Sequence, residues 1–243
     1  MLSVVIRRWA AWAPGVERGE DWERWCRAPA ALGCEGSPDL RFLPPMLRRR
    51  CSRLSRLMLH VAYAACGIAE IGELPTVFAS RYGEMATTVS LLERLAKQEP
   101  LTATGFSHSV HNTQAGLFSS AAKNRRMGSA VAAGAETFPC AFVETLAMLQ
   151  RDASGAALLV VGDEPLPAVL GAFEGEPRAA YALALVVEWA GGGPCVRFDR
   201  APHGAVAAHP LWPQAIEFLR WLRSDEPALT LGADRRAWTW TRA

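Results

Sequence analysis

The chain has 243 residues, 50% of them hydrophobic and 21% charged, with a formal net charge of +2. That balance suits a globular protein with a sizeable core, and it excludes a disordered chain or a generally basic nucleic-acid or membrane binder. Six cysteines lie scattered without CxxC spacing and without histidines at ligand spacing, which excludes a zinc centre or disulfide framework and fits free thiols in a reducing compartment.

In chain order, the N-terminal MLSVVIRRWAAW puts its arginines after a short apolar run, the reverse of a signal peptide. No stretch has the length needed to span a bilayer, so a cytoplasmic protein is expected. Leu2–Trp9, with Val4, Val5 and Ile6, reads as a strand. An irregular insertion follows at about 13–45, where Trp12, Trp22 and Trp25 point to ordered packing. Met46–Cys66 reads as one helix, because Leu47, Leu54, Leu57, Met58, Val61 and Ala65 recur at three- and four-residue spacing. Pro75–Ser80 is a buried strand. Met85–Lys97 is an amphipathic helix expected to turn Val89, Leu92 and Leu95 to the core.

The stretch Gly105–Gln150 carries a short helix (about 112–122), a strand (Gly128–Ala132), a turn of small residues and a second helix (about 136–150). Strands follow at Ala156–Gly162 and Tyr181–Glu188, joined through Pro165, Pro167 and Pro177. Cys195–Phe198 reads as an edge strand and 212–222 as a helix, and the chain ends in AWTWTRA. Alternating strands and helices without a linker imply a single α/β domain spanning 1–243, a mixed sheet of about five strands with helices packed on it.

A nucleophile needs a base and an oxyanion site beside it. On the sharp turn Ala133-Gly134-Ala135, where a strand–turn–helix would present one, there is none. Cys140 and His111 form the pair to test instead, although a small thiol beside Phe138, Phe142 and Val143 also fits plain packing. His108 and His111 precede a helix, and His203 and His209 lie in a proline-bounded loop without spacing of note. Asp163, Glu164 and Glu136 suit capping better than acid–base work. The glycines form no phosphate-cradling or dinucleotide pattern, so no cofactor and no metal are expected. The run Arg48-Arg49-Arg50 with Arg53 and Arg56 is either a solvated helix face or a docking patch for an acidic partner.

The central stretch resembles the N-terminal half of the β-ketoacyl synthases, of thiolase-like fold. Their nucleophilic cysteine ends a strand of the form STAC(A/S)(T/S)G, and here Ser129-Ala130-Val131-Ala132-Ala133-Gly134-Ala135-Glu136 stands in that place, with Gly134 at the cysteine position. Thr76–Ser80 followed by Arg81-Tyr82-Gly83-Glu84 is similar to the family's early strand and glycine-containing turn, and 111–121 to its pocket-lining helix. FSHSVHNTQAGLFS, VAAGAETF and DEPLP resemble the chain-length-factor branch of aryl polyene and xanthomonadin-type clusters. Full synthases are about twice as long and draw two histidines from a second half that has no counterpart here.

The resemblance implies a thiolase-like half-fold and a catalytically inactive, chain-length-factor-like partner of a β-ketoacyl synthase. Such a pair would extend chains on an acyl carrier protein, with the synthase holding the chemistry. It places Thr113, Gln114, Leu117 and Phe118 at the tunnel end or interface, and Ala130, Val131, Ala132 and Ala133 on a pairing strand. Two alternatives remain: a stand-alone thiol acyl-transfer enzyme using Cys140 and His111, and a scaffold that docks carrier proteins through Arg48, Arg49, Arg50 and Arg53.

Overall fold

The computed structural model describes residues 2–67, 69–152, 154–173, 178–201, 211–233 and 236–243. Pro177, His203 and His209 lie outside the described residues. Eight strands form one sheet: β1 (Leu2–Trp12), β2 (Thr76–Ala79), β3 (Gly128–Val131), β4 (Ala156–Asp163), β5 (Tyr181–Glu188), β6 (Cys195–Arg200), β7 (Ala228–Ala233) and β8 (Arg236–Arg242). Their order is β3-β2-β4-β5-β1-β6-β8-β7. The β2 strand pairs in parallel with β3 and β4, and every other pairing is antiparallel.

The count exceeds the expected five or so, chiefly because the C-terminal tail folds back as the β7–β8 hairpin. Its Trp240 turns into the core and is fully buried. That hairpin also corrects the placement of Cys195–Phe198, which lies inside the sheet between β1 and β8. The edges are β3 and β7.

Alternation along β4 sorts the core into two layers. Leu158 and Val160 face one cluster, Leu159 and Val161 the other, as a two-residue period requires. The first layer is covered by α3 (Arg53–Ala65) and α6 (Thr113–Ala122), which contribute Leu54, Leu57, Met58, Val61, Leu117 and Phe118. The second is covered by α7 (Thr137–Arg151) and α8 (Gln214–Leu222). There Phe138, Phe142, Phe198, Phe218 and Trp240 meet ring to ring, with centroids 5.0–6.3 Å apart. Aromatic pairs at such separations add about 0.5–1.5 kcal/mol each beyond area burial.

The Trp-containing insertion is ordered, as expected, and carries α1 (Gly19–Arg27). Trp22 donates to the Ala11 carbonyl and Trp25 to that of Ala30, each at 2.9 Å. A bulge in β1 between Ile6 and Arg8 brings Arg7 and Arg8 onto the same carboxylate, Glu70.

Two helices depart from expectation. Met46–Cys66 is broken into α2 (Pro45–Arg50) and α3, because the Ser52 hydroxyl accepts the Ser55 N–H at 3.0 Å and starts a new helix. The second departure is α4 (Met85–Ala96), which has no buried residue. Leu92 and Leu95 are exposed instead of turned to the core, and Val89 is only half-buried. No helix among the described residues is long and apolar enough to cross a membrane.

Candidate functional site

The chain leaves β3 at the free edge of the sheet and turns sharply into α7. Gly134 sits on that turn with φ +57°, a left-handed conformation that glycine adopts without a side-chain penalty. A Cβ built there would meet nothing within 4 Å. Thr137 holds the turn: its hydroxyl accepts the Ala133 N–H at 3.0 Å and donates to the Gly134 carbonyl at 2.8 Å. The turn is thus a sharp strand-to-helix corner with no side chain on its central residue. Ala132 and Gly134 are exposed, whereas Ala130, Val131 and Ala133 are half-buried.

Beside the turn, Gly134, Ala135, Thr137, Phe138, Arg81, Val161, Asp163, Tyr181 and Gln214 line a small cavity with room for about one water. Its polar anchor is Asp163, at the end of β4. Asp163 accepts the Ser80 hydroxyl at 2.6 Å, the Arg81 and Tyr82 backbone N–H groups at 3.1 Å each, and the Tyr181 hydroxyl at 3.4 Å. Ser80 in turn accepts the Gly83 N–H at 2.8 Å. This carboxyl therefore pins the turn after β2, a different task from the expected capping. Burial pushes its pKa upward against those four donors. Gln214 is only 4% exposed, and its Oε1 has no hydrogen-bond partner.

Glu84 forms a second hub. Its Oε1 accepts from Ser52 at 2.6 Å, Gln114 at 2.7 Å and Ser55 at 3.0 Å, and its Oε2 from Thr87 at 3.1 Å. One buried carboxyl thus ties the starts of α3, α4 and α6 together. Burial pushes the neighbouring Glu164 up to about 7, with Arg53 opposing and Glu84 and Asp163 adding to the rise. Arg53 Nη1 lies 3.5 Å from the Glu164 carboxylate.

The other predicted residues fall as follows. Gln114 serves the Glu84 hub, and Thr113 donates to the Val110 carbonyl at 2.7 Å. Leu117 is buried, and so is Phe118, whose ring lies 5.3 Å from Phe78 and 6.1 Å from Tyr63. This set stands behind the β3 edge, within the chain's own core. Arg53 turns inward to the Gly36 and Cys34 carbonyls. Arg49 and Arg50 stay exposed on α2 and Arg48 is half-buried.

Cys140 and His111 engage different groups. Burial raises the Cys140 thiol, and the charges acting on it are Glu136 and Arg236. His111 donates through Nε2 to the Ser80 carbonyl at 2.9 Å. Glu136 begins α7 without a capping bond from its side chain and pairs with Arg236 at 3.4 Å. All six cysteines are free. No cluster of three metal-ligating side chains exists among the described residues.

The family model described as "Beta-ketoacyl synthase, N-terminal domain" matches residues 22–241. The chain belongs to this β-ketoacyl synthase family. A chain of the solved complex of a ketosynthase (ApeO) with its chain length factor (ApeC) from Xenorhabdus doucetiae is 28% identical. The likeness covers 100% of both chains, with a TM-score of 0.85. The ishigamide ketosynthase/chain length factor shares 16% identity at a TM-score of 0.64, over 82% of this chain and 68% of that one. A β-ketoacyl synthase from Burkholderia phymatum STM815 shares 14% at 0.65, over 86% and 67%. These last two show the fold alone. Comparison with curated proteins gives no match. Within the β-ketoacyl synthase fold, the Asp163 and Glu84 hubs escaped sequence reasoning. Their partners lie up to 83 residues apart, and the acidic pair at the end of a strand was the one hint.

Proposed function

We propose that this chain is a non-catalytic, chain-length-factor-like subunit that pairs with a catalytic β-ketoacyl synthase and shapes the acyl tunnel across their interface. The observation that carries this reading is the full-length, 28% identical likeness to a chain of a ketosynthase–chain length factor complex. Two features of the chain support it. Decarboxylative condensation needs a thiolate to hold the acyl group, and Gly134 stands on the turn where one would be. The β3 strand has a neighbour on one side only, and its residues are small, so another chain's strand can approach closely. On this reading Ala130–Ala133 form the pairing strand, and Thr113, Gln114, Leu117 and Phe118 back it. The growing chain, of polyene or fatty-acid type, arrives on an acyl carrier protein docked chiefly on the synthase.

The test is co-expression with a full-length β-ketoacyl synthase from the same organism, followed by purification and assay with carrier-bound substrates. We expect a one-to-one complex whose turnover is unchanged by Cys140→Ala in this chain. Replacing the exposed Ala132 with Phe should shorten the products. A chain that purifies alone, or turnover that vanishes with Cys140, overturns the proposal.

A further inference from the structure

Between Met85 and Asn112 the chain makes an excursion in which no residue is buried. Neither α4 nor α5 (Ala103–Ser107) has a buried residue. Along it Leu92 is 58% exposed, Leu95 59% and Phe106 66%, with Leu101 and Val110 also open to solvent. A run of large apolar side chains facing water is costly unless something covers it, and soluble monomers seldom keep such patches without a purpose. The helix is nonetheless well specified. Thr102 caps α5 by accepting the Gly105 N–H at 3.0 Å, and a Cβ on Gly105 would lie 3.3 Å from Leu91 Cδ2, so the two helices touch.

Where the excursion is fastened says what covers it. It starts at Gly83 and Glu84, where Glu84 is clamped to α3 and α6. It ends at His111, which bonds the Ser80 carbonyl, and its ring is so close to Gly83 that a Cβ there would sit 3.0 Å from His111 Cδ2. Both ends are thus stapled to the end of β2. Ser80 also donates its N–H to the Val131 carbonyl of β3 at 3.2 Å. The apolar arm is therefore fastened at the same corner of the molecule as the unpaired edge of β3. The exposed positions of α4 are Ala86, Ser90, Leu92, Glu93, Leu95 and Ala96, with Lys97 and Glu99 the exposed charges just beyond it, so the covering surface is chiefly apolar.

The geometry points to the 85–110 arm as a second clamp on the synthase partner, lying across it beside the β3 pairing strand. This rests on the heterodimer proposed above and adds which surface holds it. The occupant is that synthase partner, because the arm is fastened beside the open β3 edge on which the partner is proposed to sit.

The experiment co-expresses the full chain with a tagged, full-length β-ketoacyl synthase from its own organism. Wild type, the Leu92→Asp/Phe106→Asp double variant and an Arg197→Ser control on the exposed face of β6 are compared for recovery on the tag. Circular dichroism melting of each free chain is recorded alongside. We expect the double variant to melt with wild type yet lose at least tenfold in recovery, while the control is unchanged. Hydrogen–deuterium exchange of the wild-type complex should show new protection over 85–110, a readout that stands even if the double variant misfolds. Normal recovery of a folded double variant, or no protection over 85–110, overturns the arm's role and leaves the heterodimer standing. Self-association of the free chain that the double variant abolishes makes the occupant a second copy and likewise overturns it. Failure of wild type to bind any synthase instead removes the heterodimer itself.

Discussion

The two ends of the sheet are built by different rules. At the C-terminal end, β6, β8 and β7 pair antiparallel with α8 packed on β7, and an aromatic cluster that includes Phe138 and Phe142 of α7 fills the space beneath them. That end covers itself. At the opposite end the edge strand β3 carries glycine, serine, alanine and valine, and α4 and α5, which follow its neighbour β2, present leucine and phenylalanine to solvent. The first end spends its large side chains on its own stability, and the second spends them on a surface. With the partner on the open end, as proposed above, stability and partnership fall to separate regions, and each can be damaged without the other.

The largest effect should come from Trp240→Ala. Trp240 is fully buried against Phe138, Phe142, Phe198 and Phe218. Truncation should cost about 3–5 kcal/mol in urea unfolding. If the two ends are independent, the folded fraction still binds the synthase normally. A variant that keeps its stability would show that the aromatic end is not the anchor.

Ala130→Pro is the mirror experiment. Ser80 and Thr76 donate to the Val131 and Met127 carbonyls, so alternation points the Ala130 N–H away from β2, toward the open side. Proline there removes an outward donor and spares the internal ladder. Association with the synthase, measured by titration, should weaken at least thirtyfold, about 2 kcal/mol, with Tm nearly unchanged. Unaltered affinity would take β3 out of the interface.

The smallest effect sharpens the boundary between the regions. Glu164, held at about 7 by burial, binds its proton more tightly when folded than when unfolded. Its contribution is fully present below the ordinary carboxylate range and is lost as pH rises through about 7. Glu164→Gln removes that dependence, although it also gives up the Arg53 ion pair. Wild type should therefore lose about 1 kcal/mol relative to the variant between pH 5 and 8, a few degrees in Tm. Parallel melting curves across that range would refute the buried-carboxyl account.

Much of the centre of the sheet was legible in the sequence, because β4 and β5 are continuous apolar runs and the periodicity of α3 and α7 matches the sheet they cover. What failed did so for identifiable reasons. The helical spacing across 46–66 survives a break that depends on the Ser52 side chain capturing a backbone N–H. The period in α4 is genuine, but a period reports an apolar face without saying whose surface covers it. The tail was hard to place because Trp-Thr-Trp alternation is too short to fix a register without its partner strand. At the site, the small-residue turn at Gly134 could be read directly, since a run of alanine and glycine after a strand needs no fold to be seen. The Asp163 hub could not, because its donors arrive from the far end of β2 and from Tyr181.

The brevity of β3 carries one more consequence. Four residues of strand expose only a couple of outward backbone donors and acceptors, too few to retain a stranger's strand that happens to collide with them. Such an edge discriminates by being weak: it holds a neighbour only when the surrounding surfaces match as well. Fidelity of assembly, and resistance to indiscriminate aggregation before assembly, are then the same property of a strand that is kept short.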